Sequence, residues 1–226
     1  MVSQVAMLSD VAFNDLAERC DELRKQVNSA DALSLSKQIS TRYQAAILRA
    51  GAYVWSAAAL EAFVRNELDL LAESLSRLSV NVDDVRPSLR TILVGSEFDS
   101  LGQLRGLKAW LKRAELIDKA TAKKPAVFTK GIHPLDRRTL KAAHFEAIWT
   151  VCGLQGSSLP SARHGLALSE LARYRNELAH GHVDAIAFGR GKTTSDAIRA
   201  IDAVEDVAEH FHVALDSLVA SGGYRR

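Results

Sequence analysis

The stretch from Leu33 to Leu78 constrains the fold more than any other part of this chain. Apolar residues recur through it at helical spacing, and no proline interrupts it. Its middle, Ala50 to Phe63, is rich in alanine and carries Gly51, Tyr53, Val54, Trp55 and Leu60, so it is apolar on most faces. A helix without a broad polar side must be packed by several neighbours or covered by a second copy of the chain. The pattern therefore predicts a long central helix, and Gly51 with its alanines permits close helix approach. The run Ala50–Leu60 is too short and too rich in alanine to span a bilayer.

The remaining sequence supplies the neighbours. Val5, Leu8, Val11, Phe13, Leu16, Leu23 and Val27 predict a first helix, ended by the small polar run Asn28-Ser29-Ala30. Asp83-Asp84 is expected to start a short helix with Pro87 in its first turn. A further helix is predicted from Ser100 to Ile117 and another from Asp136 to Val151. Between them, Thr121 to Pro134 reads as an insertion loop. After a loop from Gly153 to Pro160, a helix is expected over Ala162–Ala179. Gly181, Gly189 and Gly191 then bracket a mobile connection, and Thr193-Thr194-Ser195-Asp196 caps a last helix through Ala220.

No alternating strand pattern exceeds a few residues. With only 4 prolines and 6% aromatics, the composition also favours helix. The fold class is therefore all-α: one domain over residues 1–226, with residues from about 80 to 160 read as an insertion.

A hydrophobic content of 47% with 25% charge excludes wholesale disorder. The net charge of +2 permits a nucleic-acid partner without announcing one. Cys20 and Cys152 lie far apart and outside any metal-ligand spacing, so both read as reduced thiols. Met1-Val2-Ser3-Gln4-Val5 lacks a basic region leading into an apolar run. The expectation is a cytoplasmic protein with no membrane association and no metal or other cofactor.

The chemistry concentrates at Arg175-Asn176-Glu177-Leu178-Ala179-His180, followed by Gly181 and His182. An arginine can hold a phosphate, an amide can orient it, and an imidazole can move a proton near neutral pH. On a helix Asn176 and His180 share a face, and Arg173 joins it, beside a core stripe of Leu171, Tyr174 and Leu178. The polar group thus flanks a buried seam, where a symmetric dimer would bring two copies together. The competing reading is a surface arginine plus a helix-terminal histidine that complements the helix dipole.

Arginine, a polar residue, then histidine at this spacing resembles the signature of the HEPN superfamily of all-helical ribonucleases. Ala58-Ala59-Leu60-Glu61-Ala62-Phe63-Val64-Arg65 resembles the long second helix of RiboL-PSP-type HEPN-like nucleases. The motif, the glycine-rich turn and the Thr/Ser-Asp helix start are similar to that group's C-terminal half. The likeness covers roughly Leu33–Leu78 and Leu166–Val219, and leaves Val80–Pro160 unmatched.

The resemblance implies a HEPN-like helical bundle and a metal-independent endoribonuclease acting as a dimer with a composite site, a toxin or phage-defence effector. In that scheme the RNA 2′-hydroxyl attacks its own 3′-phosphate. His180 would transfer the proton, Arg175 would hold the non-bridging oxygens, and Asn176 would orient phosphate or imidazole. Glu61 would fix Arg175, with Arg173 and His182 as accessory groups. The substrate would be tRNA or mRNA, with an antitoxin protein as a further partner. In toxins paired with nucleotidyltransferase antitoxins a tyrosine commonly stands where this chain has His182, which argues against that regulation here. The alternative functions are a catalytically silent HEPN-type module binding RNA, nucleotide or protein, and, more distantly, a helical adaptor.

Other candidates are weaker. Arg138 with His144, and Arg137 with His144, meet the bare spacing but lack the adjacent amide and following glycine. His133, His144, His164, His210 and His212 read as isolated surface or core histidines. Lys123-Lys124, Arg137-Arg138-Lys141 and Arg225-Arg226 read as solvated charge before phosphate contacts. Gly189-Arg190-Gly191-Lys192-Thr193-Thr194 ends like a phosphate loop but lacks its leading glycine spacing and a preceding strand.

Overall fold

A computed structural model describes residues 8–136 and 138–226. Among these residues the chain forms nine α-helices and no strand, in keeping with the all-α class. The organising element is α2 (Ile39–Arg77), the predicted central helix. It is preceded by α1 (Val11–Ser34), and the two pack antiparallel: Phe13 meets the ring of Phe63, while Arg49 pairs with Asp31. The last helix, α9 (Thr194–Ala220), runs parallel to α2, because Arg49 bonds Thr194 at one end and Glu67 bonds His212 at the other. Next to both lies α7 (Ala162–Ala179), antiparallel to α9 through His164–Asp206 and Tyr174–Lys192. Leu16, Leu60, Leu71, Phe211 and Leu215 fill the shared core.

Several boundaries differ from expectation. The first helix runs through Asn28-Ser29-Ala30 to Ser34, because Val27 and Ala30 are buried and tertiary packing outweighs weak local propensity. Its predicted start at Val5 lies outside the described residues. The helix expected to begin at Asp83-Asp84 divides into a 3-10 turn at Val82–Asp84 and α3 (Pro87–Leu93), which Pro87 opens. The single helix expected over Ser100–Ile117 is two, α4 (Gly95–Leu101) and α5 (Gly106–Ala120). Gly106 takes a φ of 60°, which a continuous right-handed helix cannot contain.

The stretch read as an insertion loop is tied to the bundle. The Val82 N–H donates to the Lys124 carbonyl and the Ala126 N–H to the Val80 carbonyl, while Ala126 and Phe128 enter the core. Helix α6 (Ala142–Cys152) starts later than Asp136, at a capping box formed by Lys141 and His144. Nδ1 of His144 accepts from the Lys141 N–H, and its Nε2 bonds Asp136.

The connection expected to be mobile holds a short helix, α8 (Ala185–Arg190), capped by the Asp184 carboxylate. It packs closely on α2: a Cβ on Gly189 would sit 1.8 Å from the Ala46 carbonyl oxygen. The close helix approach is therefore at Gly189. A Cβ on Gly51 would meet the Trp55 ring of its own helix. By length and composition α2 is also able to cross a membrane, although half of its apolar window is buried in the bundle.

Candidate active site at the C-terminal end of helix α7

The motif occupies the last turn of α7 and its cap. Three features place it. Gly181 adopts a φ of 68°, a left-handed conformation that ends the helix. The Gly181 N–H donates to the Leu178 carbonyl and the His182 N–H to the Glu177 carbonyl, so both terminal carbonyls are satisfied. The chain reverses tightly and holds the His180 and His182 rings with their centroids 5.8 Å apart.

The aromatic cluster of Tyr53, Tyr174 and Phe188 locks this end of α7 to α2 and α8. The Lys192 ammonium sits 4.3 Å from the centre of the Tyr174 ring and donates to its hydroxyl. Burial raises the Tyr53 phenol, so Tyr53 acts here as a neutral packing group.

Within the site, Asn176 is the organiser. Its side-chain oxygen accepts from the Arg175 guanidinium at 3.2 Å and from the Thr139 hydroxyl at 3.0 Å. Thr139 is buried and comes from the segment before α6. With its oxygen committed twice, Asn176 turns its amide nitrogen, a pure donor, to the other side. Arg175 is half-buried, and His180 and His182 are exposed. The group therefore presents a cation, an amide donor and two imidazoles at one helix end. Those can grip an anion and exchange a proton with it.

The accessory residues separate. Arg173 is exposed and lies over the Tyr174 ring, outside the Asn176 network. The expected Glu61–Arg175 pairing is absent: Glu61 makes no salt bridge with a described residue, and its Oε1 is buried without a partner. The reason is register. Helices α2 and α7 are antiparallel and meet at Tyr53 and Tyr174, and Glu61 lies eight residues, roughly 12 Å of helical rise, past that contact.

The histidines sort cleanly. His133 bonds Asp69, His144 bonds Asp136, His164 bonds Asp206, His212 bonds Glu67, and His210 bonds the Ser157 carbonyl. Only His180 and His182 have no side-chain hydrogen bond to a described residue. Arg138 pairs with Asp136, which leaves the decoy spacing without a site; Arg137 lies outside the described residues. Two residues that matter were missed in the sequence. Thr139 sits in an aperiodic segment that carries no signal, and Lys192 lies within the string discarded as a false phosphate loop. A cavity of about 960 Å³ lies between α7 and α9, reaching from His164 and Glu170 to Tyr53 and Lys192, and no residue from Arg175 to His182 lines it. Among the described residues no group of three His, Cys, Asp or Glu is placed to hold a metal ion.

A model of the HEPN_MAE_28990-like HEPN family matches residues 8–221. The chain belongs to that HEPN family. The superfamily is the one its motifs resemble, and the particular group matched is the MAE_28990-like one, where the motifs suggested the RiboL-PSP type. The match spans the middle segment that motif comparison left unplaced. No curated protein and no solved structure matches this HEPN protein. Membership assigns it to a class of nuclease-like or RNA-related modules.

Proposed function

We propose that this HEPN protein is a metal-independent endoribonuclease with Arg175, Asn176 and His180 as its catalytic group. The observation that carries the reading is the contrast among histidines. Five are tied to structural partners, whereas His180 and His182 stand exposed beside an arginine and an oriented amide. In the reaction the RNA 2′-oxygen attacks the adjacent phosphorus as His180 takes its proton. The bond to the 5′-oxygen breaks, leaving a 2′,3′-cyclic phosphate and a 5′-hydroxyl end. Arg175 and the Asn176 amide nitrogen hold the non-bridging oxygens as charge builds on them. His182, its ring centroid 5.8 Å from that of His180, is the second proton carrier in this scheme and protonates the departing 5′-oxygen.

The site of one chain is an open helix end, which favours a homodimer whose two motif ends meet on one phosphate. We place the protein in the cytoplasm, acting on tRNA or mRNA as a toxin or phage-defence effector held in check by an antitoxin protein. The same openness supports the second reading, a silent HEPN module that binds RNA, nucleotide or protein without cutting.

Purified protein in EDTA with total tRNA tests the proposal, wild type beside Arg175→Ala and His180→Ala. Cleavage by wild type with cyclic-phosphate ends, reduced roughly 10²–10⁴-fold in His180→Ala while RNA binding persists, is the expected result. Binding without cleavage by any folded preparation transfers the assignment to the silent module.

A further inference from the structure

The N-terminal end of α2 and the short helix α8 carry cations that neither the core nor the motif uses. Between Asp31 and Glu61 the chain has no acidic residue, yet it holds Lys37, Arg42 and Arg49. Arg49 is committed to Asp31 and Thr194. Lys37 and Arg42 are exposed and form no ion pair with a described residue. From α8 comes Arg190, also exposed, whose guanidinium lies over the Tyr43 ring, 4.8 Å from its centre. Arg173, exposed one residue before Tyr174, lies over that ring in the same way at 4.5 Å.

Helix α8 joins these cations to the motif. It begins at Ala185, three residues after His182, and its Gly189 packs on Ala46. Arg42 and Tyr43 lie four and three residues before Ala46, so they border the face of α2 that α8 covers. A helix of this length advances only about 9 Å, so Arg190 and Arg42 continue the surface that starts at Arg173 and Arg175. The acids nearby are mostly committed. Asp184 caps α8 and Asp196 is held by Thr193 and Arg199, which leaves Glu177, one turn after Arg173, beside the track.

Two features select the ligand. Exposed, unpaired cations that follow one another across a surface complement a polyanion. Guanidiniums laid flat on tyrosine rings present planar forks to phosphate oxygens and a free face to an unstacked base. We propose that Arg42, Arg190 and Arg173 form a track for single-stranded RNA, holding the nucleotides next to the phosphate gripped by Arg175 and Asn176. It rests on the reading of the motif as an RNA site, cutting or silent.

A short single-stranded 2′-O-methyl oligonucleotide has no 2′-hydroxyl to attack, so its binding, followed by fluorescence anisotropy, reads the track apart from cleavage. Arg42→Gln/Arg190→Gln is expected to bind about tenfold more weakly at low salt. Its slope of log affinity against log salt should flatten by about 1.4, since each lost phosphate contact on a single strand removes about 0.7. Arg77→Gln/Arg163→Gln makes the same change of charge at the far ends of α2 and α7, and should match wild type. Circular dichroism checks that both variants fold. Wild-type affinity and slope in the Arg42/Arg190 variant overturn the proposal even where wild type cuts RNA, as does an equal loss in the control pair. Equally tight binding of duplex RNA also overturns it. So does a wild type that ignores the oligonucleotide and sediments with anionic vesicles. Binding that depends on Arg42 and Arg190 while no preparation cuts RNA upholds the track and assigns the motif to the silent module.

Discussion

The Thr139 hydroxyl and the Arg175 guanidinium donate to the same side-chain oxygen of Asn176, at 3.0 and 3.2 Å. A residue from an irregular segment thereby sets the orientation of an amide in the last turn of α7. Thr139→Val keeps the shape and removes one donor. A hydrogen bond of about 1 kcal/mol corresponds to a loss of roughly fivefold in cleavage. Thr139→Ser should restore the activity, which single-turnover rates on one RNA would show. Equal rates for the Val and Ser variants would deny Thr139 a positioning role.

Gly189 and Gly51 should respond oppositely to alanine. At Gly189 a Cβ meets the Ala46 backbone at 1.8 Å, so Gly189→Ala should cost about 1–3 kcal/mol and loosen α8 from α2. At Gly51 the obstruction is the partly exposed Trp55 ring, which can swing away. There the gain in helix propensity, up to about 1 kcal/mol, should leave Gly51→Ala neutral or stabilised. Urea melts of both variants decide it.

Glu67 makes stability depend on pH. Its side chain is fully buried, with Oε2 bonded to His212 and Oε1 unpartnered. Burial raises its carboxyl above the ordinary 4.5, and the His212 hydrogen bond opposes the shift without cancelling it. The folded chain thus holds this proton more tightly than the unfolded chain does. Its contribution is fully present below 4.5 and is lost as pH rises through the raised folded value. Glu67→Gln should flatten the thermal stability profile across that interval and melt higher than wild type at neutral pH. A steeper profile in the variant would contradict the assignment.

Both cysteines should be inert in the folded protein. Burial pushes the Cys152 thiol up to about 12; burial and then the nearby Glu205 push Cys20 to about 11. Titration with a disulfide reagent at pH 8 should detect neither thiol before denaturant is added and both afterwards. Rapid labelling of the native protein would show that one of them is reached by local opening.

What the sequence determined by itself was local. The 3.6-residue period marked α2, α7 and α9. Gly181 and the Thr193–Asp196 capping box announced helix ends because each is satisfied by backbone within a few positions. The Arg175–His180 motif was legible for the same reason: its members lie on consecutive turns. Tertiary structure decided everything set by distant partners. Burial of Ala30 carried α1 past its polar run, and the antiparallel register of α2 and α7 took Glu61 out of reach of Arg175. Contact with Asn176 gave Thr139 its role, though its own neighbours carry no pattern. A helix advances only 1.5 Å per residue, so periodicity says which side a residue faces and not which residue waits there. That choice belongs to the packing of whole helices against one another.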